Sequence, residues 1–489
     1  MHLEQRDILI IGAGLLGCFA ARALAAYDLR VTVLEAREDV CTGISRANTG
    51  ILYAGYDTRP GSLKSALTLE AVAGMDALCR ELEVPLSRCG SLMVGCGPRA
   101  EAVLARKYAD GLENGVPGLR LLSGEEARAL EPGLTDAVTC GLYAPVAGTL
   151  NPWALGIAAY ENAAANGVEF RFCTPVEQLA RTARGFVAET PRGSFAARAV
   201  LNCAGLCADR IRELCQVPRI RIFPTAADYL VLDRGTAGAP HHIIFHEPEQ
   251  KGKGLTLVPT VDGELLVGPT ERDFDPAAPG ATRGVGLEAL RRLCGAVVPG
   301  LDLSKAIRSF GATRPNPFQV EERDGALVPT DRRIGDFCVL EEAGLVSLIG
   351  VKTPGLTCAP TLGAWAAKRL LDFLGGAARR GDFDPCRRGI PAPSRPLPAE
   401  RAALIAEDPA YGRILCRCRQ VSEGEVLEAI ARGAVTVDGV KRRTGAGMGR
   451  CQGGFCQGKI LELLAREKGL PPEAVTLDGG DSHILIGRK

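Results

Sequence analysis

Four cysteines in the C-terminal part of the chain have a spacing that suits metal chemistry. They stand in two close pairs, Cys416 with Cys418 and Cys451 with Cys456. Thiolates bind zinc and iron–sulfur clusters, and four of them complete either site. The first pair is closer together than zinc-ribbon cysteines usually are. These residues predict a four-thiolate site for zinc or an iron–sulfur cluster, whose negative charge the neighbouring arginines and lysines would offset.

A glycine-rich turn near the N-terminus has the pattern of a dinucleotide-binding site. Gly12, Gly14 and Gly17 follow an apolar run typical of a strand buried on both faces, and a helical stretch follows them. Such glycines allow a sharp turn, a close approach of pyrophosphate and tight helix packing. The helix N-terminus can bind the phosphates. Glu35 ends the next predicted strand, where its carboxylate can bind the adenosine ribose.

Two further loops indicate which dinucleotide is bound. Residues 41–55 and 352–360 are predicted to be loops that lead into helices, with hydroxyl and small side chains able to lie beside a flavin. The second loop follows a buried strand and opens a helix, so the helix N-terminus can stabilise negative charge at the flavin N1 and C2 carbonyl. These loops favour FAD over a nicotinamide cofactor.

The elements that must position these residues alternate between strand and helix. Apolar runs at 168–172, 199–203 and 345–350 are predicted strands, each flanked by helical stretches. This alternation predicts an α/β sheet assembled from segments far apart in the sequence. Short runs between them predict an inserted antiparallel β domain that faces the substrate: 91–96, 229–232, 242–246, 255–259 and 264–267.

The fold class predicted is α/β (α+β): a Rossmann-like FAD-binding domain, an inserted antiparallel β substrate domain and a small C-terminal domain. A stretch rich in proline and arginine indicates a linker before the C-terminal domain. The predicted boundaries are 1–85, 143–210 and 330–375 for the FAD-binding domain, 86–142 and 211–329 for the substrate domain, 376–411 for the linker and 412–489 for the domain that holds the four cysteines.

The overall composition excludes several classes of protein. The 489 residues are 46% hydrophobic and 24% charged, which excludes disordered and fibrous classes. The net charge of +1 gives no reason to expect nucleic acid or an anionic membrane as a partner. The apolar run at 8–21 is too short to cross a bilayer, and the charged residues before it do not suit a secretory signal. We therefore expect a cytoplasmic protein with reduced cysteines.

Several segments resemble the flavin loops of the D-amino-acid-oxidase-type superfamily of FAD enzymes: 45–55, 60–64, Ala204-Gly205, 309–314 and 354–357. The similarity is greatest to the branches of L-2-hydroxyglutarate oxidase and anaerobic-type bacterial glycerol-3-phosphate dehydrogenase. The four-cysteine module resembles the bacterioferritin-associated-ferredoxin-like [2Fe-2S] domain that follows the flavin domain in this family. The resemblance implies FAD and a [2Fe-2S] cluster as cofactors, and hydride transfer from a substrate C–H to flavin N5.

The motifs and the resemblance together predict the residues that contact FAD. These are Gly12, Gly14, Leu15, Gly17, Glu35, Thr42, Ser45, Asn48, Thr49, Val176, Ala204, Gly205, Gly355, Leu356 and Thr357. The predicted cluster ligands are Cys416, Cys418, Cys451 and Cys456.

Tyr53 and Arg314 are the predicted catalytic residues. The resemblance implies that Arg314 binds the anionic end of the substrate, and a guanidinium suits a carboxylate or phosphate. It also implies a histidine at the position of Tyr53, which would remove the proton of an alcohol substrate. An unperturbed tyrosine titrates near ~10 and is a poor base at neutral pH. Tyr53 is therefore either a base made more acidic by a nearby cation, or a wall of the pocket for an amine that binds unprotonated.

These residues predict a FAD-dependent dehydrogenase that oxidises a small anionic substrate, with glycerol 3-phosphate as the leading choice. The electrons would leave singly through the cluster to a redox partner protein or quinone-linked subunit, and any membrane association would be peripheral, through such a partner. An amine or imino-acid dehydrogenase for sarcosine-, proline- or opine-like substrates is the first alternative. A non-catalytic redox-sensing protein is the second. Further candidates for the pocket rim are His241, His242, His246 and Lys253.

Overall fold

A computed structural model describes residues 3–247, 254–394 and 398–487. In these residues the strands, in chain order, are β1 (Leu3–Ile11), β2 (Val31–Leu34), β3 (Ile51–Leu52), β4 (Leu86–Ser87), β5 (Ser91–Gly95), β6 (Arg120–Ser123), β7 (Cys140–Ala144), β8 (Gly148–Leu150), β9 (Glu169–Arg171), β10 (Gln178–Thr182), β11 (Gly185–Thr190), β12 (Gly193–Asn202), β13 (Ile220–Ile222), β14 (Thr225–Leu232), β15 (Ile243–His246), β16 (Thr256–Pro259), β17 (Leu265–Val267), β18 (Arg272–Asp273), β19 (Ala306–Arg314), β20 (Pro317–Arg323), β21 (Ala326–Arg333), β22 (Cys338–Glu342), β23 (Leu345–Ile349), β24 (Ile414–Cys416) and β25 (Val421–Ser422).

The α-helices of the same residues are α1 (Leu15–Leu24), α2 (Leu63–Glu81), α3 (Gly97–Glu113), α4 (Gly124–Leu130), α5 (Pro152–Ala165), α6 (Ala208–Glu213), α7 (Gly284–Val297), α8 (Ala359–Leu374), α9 (Pro398–Glu407), α10 (Glu423–Ala431), α11 (Val437–Thr444) and α12 (Gln457–Lys468). None of them combines the length and apolar character needed to cross a bilayer.

The first sheet has the order β10–β11–β12–β1–β2–β9, and β23 joins the carboxyl end of β12 and pairs with β22. Its centre is parallel: β1 pairs with β12 and β2, and β2 pairs with β9. Residues 8–11 at the end of β1 are buried, and α1 packs against α5 and α8 within the same core. The α/β prediction is confirmed for this part of the chain.

The prediction that a helix precedes the strand at 345–350 is wrong, because β22 precedes β23 and pairs with it antiparallel. The prediction that residues 199–203 form a strand between two helices is also wrong at its N-terminal side. These residues overlap the end of β12, which follows β10 and β11 in an antiparallel meander. Ten residues of β12 extend through this meander into the parallel sheet. One long strand therefore joins the antiparallel edge to the dinucleotide-binding centre.

The second sheet contains all five short strands that were predicted for the inserted domain. Its order is β18–β14–β17–β16–β15–β5–β7–β6, and β19 pairs with β14. The sheet is antiparallel as expected, except that β15 runs parallel to β5, with Ile244 opposite Leu92. The boundary expected at 142/143 falls inside β7, where Tyr143 pairs with Leu92, and the boundary at 329/330 falls inside β21.

The first half of the predicted linker, residues 376–411, is bound to the rest of the protein by hydrogen bonds. The backbone N–H of Arg380 donates to the carbonyl of Ala26, and the side chain of Asn162 donates to the carbonyls of Asp384 and Cys386. These contacts hold the first half of the segment against the dinucleotide-binding domain. Proline and arginine content alone did not reveal them, because the partners lie more than 200 residues away.

Ion pairs dock the C-terminal module on the rest of the chain. Arg419 contacts Asp262 at 3.1 Å and Arg450 contacts Asp233 at 3.0 Å, both in the substrate domain. Arginines that were expected to offset the charge of a cluster therefore pair with carboxylates across the interface. The core of the module is formed by apolar side chains of α10, α11 and α12.

Candidate active site

A cavity of about 910 Å³ opens at the carboxyl ends of β1, β2 and β12 and extends to the substrate sheet. This edge of a parallel sheet is where such folds bind their ligands. The predicted site residues that line it are Gly12, Gly14, Leu15, Glu35, Thr42, Ser45, Asn48, Thr49, Tyr53, Val176, Ala204, Gly205, Arg314, Gly355 and Leu356.

The glycine turn forms a cradle with no side chain at its centre. Gly12 has φ +100°, and a Cβ there would lie 2.7 Å from the carbonyl oxygen of Cys203. At Gly17 a Cβ would lie 1.9 Å from the carbonyl oxygen of Gly12, so this glycine permits the packing of α1 and does not line the cavity. A Cβ at Gly14 would meet only the Ser45 hydroxyl, at 3.3 Å. The cradle therefore fits a pyrophosphate at the start of α1.

Glu35 is held at the end of β2 by backbone donors. Its carboxylate accepts hydrogen bonds from the N–H of Ala13 at 2.7 Å and from the N–H of Arg37 at 2.9 Å. Burial raises the pKa of Glu35, against the opposing effect of these donors. The carboxylate borders the cavity, in a place that suits an adenosine ribose.

Hydrogen bonds shape the loop beside the cradle. The hydroxyl of Ser45 accepts from the N–H of Leu15 at 3.1 Å, and the Asn48 side chain donates to the carbonyl of Ser45 at 2.8 Å. The hydroxyl of Thr357 donates to the carbonyl of Ile51 at 3.2 Å and accepts from the N–H of Tyr53 at 3.0 Å. Thr357 is fully buried and does not line the cavity, so it ties β3 to the loop before α8.

Tyr53 and Arg314 lie at the substrate end of the cavity, as neighbours. The ring of Tyr53 stacks on Phe245, with centroids 5.8 Å apart. Burial raises the pKa of Tyr53 well above its ordinary range, and the charge of Arg314 opposes this without overcoming it. The cation that could have made Tyr53 a base is present, but burial has the larger effect.

The charge of Arg314 is available to a ligand. Within residues 3–247, 254–394 and 398–487, no carboxylate lies at ion-pair distance from it. Arg314 hydrogen-bonds the Tyr229 phenol, whose pKa burial raises, and the Tyr229 ring stacks on Phe310 at 4.8 Å. A half-buried guanidinium that lines the cavity beside Tyr53 and Tyr229 can bind an anion.

Sequence reasoning missed Lys352 as a functional residue. Its Nζ donates to the side-chain oxygen of Asn316 at 2.7 Å, and it lines the same cavity as Arg314. Asn316 is buried and also donates to the hydroxyl of Thr225. Lys352 is the first residue of the predicted flavin loop at 352–360 and closely follows the strand-like run at 345–350; this position was the signal that could have identified it.

The candidate rim histidines separate into two groups. His246 lines the cavity, whereas His241 and His242 do not. The Nδ1 of His242 is 2.6 Å from the carboxylate of Glu131, which also accepts from the backbone N–H of His241 and His242. These two residues stabilise the substrate sheet. Lys253 lies outside the described residues.

The four predicted cysteine ligands form two close pairs within the C-terminal module. The Sγ atoms of Cys418 and Cys451 are 3.5 Å apart, and Cys416 is hydrogen-bonded to Cys456. That contact, reinforced by backbone N–H groups, lowers the pKa of Cys416 to about 5. Within the described part of the chain the sulfurs form two pairs, and no group of three or more side chains surrounds a single ion position. Backbone donors aimed at thiolates fit an iron–sulfur cluster.

The cradle, the cavity and the cysteine module define a flavoprotein oxidoreductase with an iron–sulfur domain. A family model described as FAD dependent oxidoreductase matches residues 7–369, and one described as BFD-like [2Fe-2S] binding domain matches residues 414–466. The chain belongs to the FAD dependent oxidoreductase family. Its cofactors are FAD and a [2Fe-2S] cluster, which confirms the prediction from the motifs and the resemblance.

Individual relatives extend over both parts. A glycerol 3-phosphate dehydrogenase of Caloramator mitchellensis is 37% identical over 487 residues, 98% of each chain. One subunit of the anaerobic glycerol-3-phosphate dehydrogenase of Escherichia coli K12 is 24% identical and is matched over 95% of this chain and 88% of its own. The FAD-bound L-alpha-glycerophosphate oxidase of Mycoplasma pneumoniae superposes with a TM-score of 0.70 at 24% identity, covering 79% of this chain and 99% of the oxidase; this last match supports the fold.

Proposed function

We propose that this protein is a FAD-dependent dehydrogenase that oxidises a small anionic alcohol, with glycerol 3-phosphate as the leading substrate. The observation that carries the proposal is the pair of cations at the substrate end of the cavity, Arg314 and Lys352. Arg314 has no carboxylate partner among the described residues, and Asn316 fixes the ammonium of Lys352. Two cations suit a phosphate dianion better than one does. The relative from Caloramator mitchellensis, which spans the whole chain, supports the same choice.

The residues of this chain would bind and orient the substrate. Arg314 and Lys352 hold the anionic end, and the stacked rings of Tyr53 and Phe245 form a wall that excludes water. Bound FAD supplies the acceptor for a hydride. Because burial raises the pKa of Tyr53, we assign removal of the hydroxyl proton to His246, whose imidazole lines the same cavity and can accept a proton.

The path of the electrons after the flavin is the second part of the proposal. The cluster domain docks on the substrate and flavin parts through ion pairs, so the two cofactors share one body of the protein. The electrons would pass singly through the cluster to a partner protein or quinone-linked subunit. The relative from Escherichia coli is itself one subunit of a dehydrogenase, which supports a partner subunit for this chain.

An amine or imino-acid substrate is the second candidate, and the environment of Tyr53 favours it. A buried phenol that stays protonated cannot serve as the base for an alcohol, but an amine that binds in its neutral form needs none. A carboxylate on such a substrate would still bind to Arg314. The two candidates therefore share the anion site and differ in the need for a proton acceptor.

Anaerobic bleaching of the flavin tests these candidates. The purified protein is mixed without oxygen with glycerol 3-phosphate, L-2-hydroxyglutarate, sarcosine or proline, and the loss of flavin absorbance is followed. Bleaching by glycerol 3-phosphate that is lost in His246→Gln is the expected result. Bleaching by sarcosine or proline alone would favour the amine candidate, and bleaching by none of the four would contradict both.

A further inference from the structure

A buried ion-pair network joins the C-terminal module to both ends of the loop beside FAD. The guanidinium of Arg442 contacts Asp39 at 3.1 Å and Asp478 at 2.8 Å. Arg443 also donates to Asp39, at 2.7 and 2.8 Å. Asp478 pairs in turn with Arg46. We call these five residues the Arg442 network; Asp39 and Arg46 come from the N-terminal part, and the other three come from the module.

The loop between Asp39 and Arg46 forms one wall of the cavity. Residues 42–45 line it, and the hydroxyl of Ser45 accepts from the N–H of Leu15 at the start of α1. The indole N–H of Trp153 donates to the carbonyl of Arg46 at 3.0 Å. The position of this wall therefore depends on groups that hold its two ends, and at both ends those groups include residues of the module.

The charged side chains at the centre of the Arg442 network are almost completely buried, so each of them needs its partners. The side chains of Asp39 and Arg443 are each 1% exposed and that of Arg442 is 4% exposed. Burial alone would raise the pKa of Asp39, but the hydrogen bond from Arg443 and the charges of Arg443 and Arg442 lower it. A carboxylate that loses such partners must be rehydrated or neutralised, and either change moves the loop. At Gly439 a Cβ would lie 3.2 Å from the Asp39 carboxylate, so α11 approaches this site closely.

We propose that Arg442, Arg443 and Asp478 are positioning residues of the flavin site, supplied by the iron–sulfur module. Because α11 carries Arg442 and Arg443 and leads into the loop whose Gly447 N–H donates to Cys416, FAD affinity and cluster retention are coupled. The coupling depends on the contact of residues 42–49 with FAD and is independent of the substrate. Thermodynamic linkage makes it reciprocal: a docked module strengthens FAD binding, and bound FAD strengthens docking by the same factor.

The matched pair of variants Arg442→Met and Arg432→Met tests the coupling. Arg432 also bridges the interface, to Glu161 at 3.2 Å, but it does not join the Arg442 network. FAD is removed from each protein with the cluster retained, and the dissociation constant for added FAD is measured by flavin fluorescence. We expect Arg442→Met to weaken FAD binding by a factor between about 5 and 150, the usual range of coupling between sites. Arg432→Met should bind FAD as the wild type does.

Iron release gives the reciprocal measurement, which does not depend on enzyme activity. Bound FAD should slow the release of iron to a chelator in the wild type and in Arg432→Met, and should slow it less in Arg442→Met, where Arg443 alone still pairs with Asp39. If Arg442→Met does not fold, Arg46→Met serves instead, because it removes the exposed end of the network and leaves Asp39 paired with Arg443. Asp478→Glu should retain most of the FAD affinity that Asp478→Ala loses. Equal FAD affinity in the Arg442→Met and Arg432→Met proteins, or iron release that ignores FAD in the wild type, would overturn the proposal.

Discussion

The two ends of the cavity are built in different ways. At the centre of the cradle in the flavin end the lining is backbone: Gly12 and Gly14 expose the chain, and α1 starts beside them. At the substrate end it consists of side chains, among them Tyr53, Arg314 and Lys352, from three separated segments. A site made of backbone depends on the absence of side chains, and a site made of side chains depends on their charge and protonation. Substitutions should therefore have different effects at the two ends.

The largest effect is expected from Gly14→Val. A branched side chain would project into the cradle where a pyrophosphate must lie, whereas in the apo fold a Cβ meets a single neighbour, the Ser45 hydroxyl at 3.3 Å, which has to shift slightly. We expect folded protein without FAD, measured as loss of flavin absorbance at unchanged circular dichroism. Gly295→Val on α7, where a Cβ meets nothing within 4 Å, is the matched control and should keep its FAD. Full flavin content in Gly14→Val would show that the pyrophosphate binds elsewhere.

At the other end, Arg314→Ala should keep the flavin and lose the substrate. Removal of a shielded cation that binds an anion costs about 2–5 kcal/mol in transition-state binding, read from kcat/KM. Arg314→Lys should recover part of the loss, because an ammonium lacks the planar fork. Arg323→Ala, at an exposed strand end, is the control. An unchanged kcat/KM in Arg314→Ala would place the anion on another face of the flavin.

This contrast also explains what could be predicted from the sequence. The glycine turn and Glu35 lie within one short stretch of sequence. Only glycine suits the turn and a carboxylate suits the strand end, so the dinucleotide fold could be predicted from this local pattern. Arg314 was identified only through a resemblance. Lys352 was missed because its partner Asn316 comes from a different strand connection. The docking of the module through Asp39 and Arg442 joins residues 403 positions apart, and no local pattern encodes such a contact.

A smaller effect is expected from Lys352→Met. Methionine keeps the length of the side chain but removes its charge, and a hydrogen bond from a charged group contributes about 1.5–3 kcal/mol. We expect KM for glycerol 3-phosphate to rise, with FAD content unchanged. Lys368 lies on the exposed face of α8, where it pairs with Asp372. Lys368→Met is the control and should change neither the KM nor the FAD content. A loss of FAD in Lys352→Met would assign this lysine to the flavin end instead.

The smallest effect is expected from Tyr53→Phe, and it separates the two views of this residue. Burial holds the pKa of the phenol above its ordinary value near ~10, so Tyr53 stays protonated between about pH 6 and pH 10 and contributes no titration there. Because the folded-state pKa is raised, Tyr53 does not change the pH dependence of stability below its unfolded-state pKa, and the fold loses stability as the pH rises from that value through the folded-state pKa. Phenylalanine keeps the stack on Phe245 and removes only a neutral hydroxyl, a change of about 0.5–1.5 kcal/mol.

The pH profile of kcat/KM should then have the same limbs in both proteins, with kcat/KM of the wild type exceeding that of the variant by about tenfold or less. If Tyr53 were the base, Tyr53→Phe would lose about 10²–10⁴-fold in kcat/KM, together with the limb of the profile in which kcat/KM rises with pH. In that case Tyr53 would be a catalytic residue and not only a wall of the pocket, and it would replace His246 as the acceptor of the hydroxyl proton.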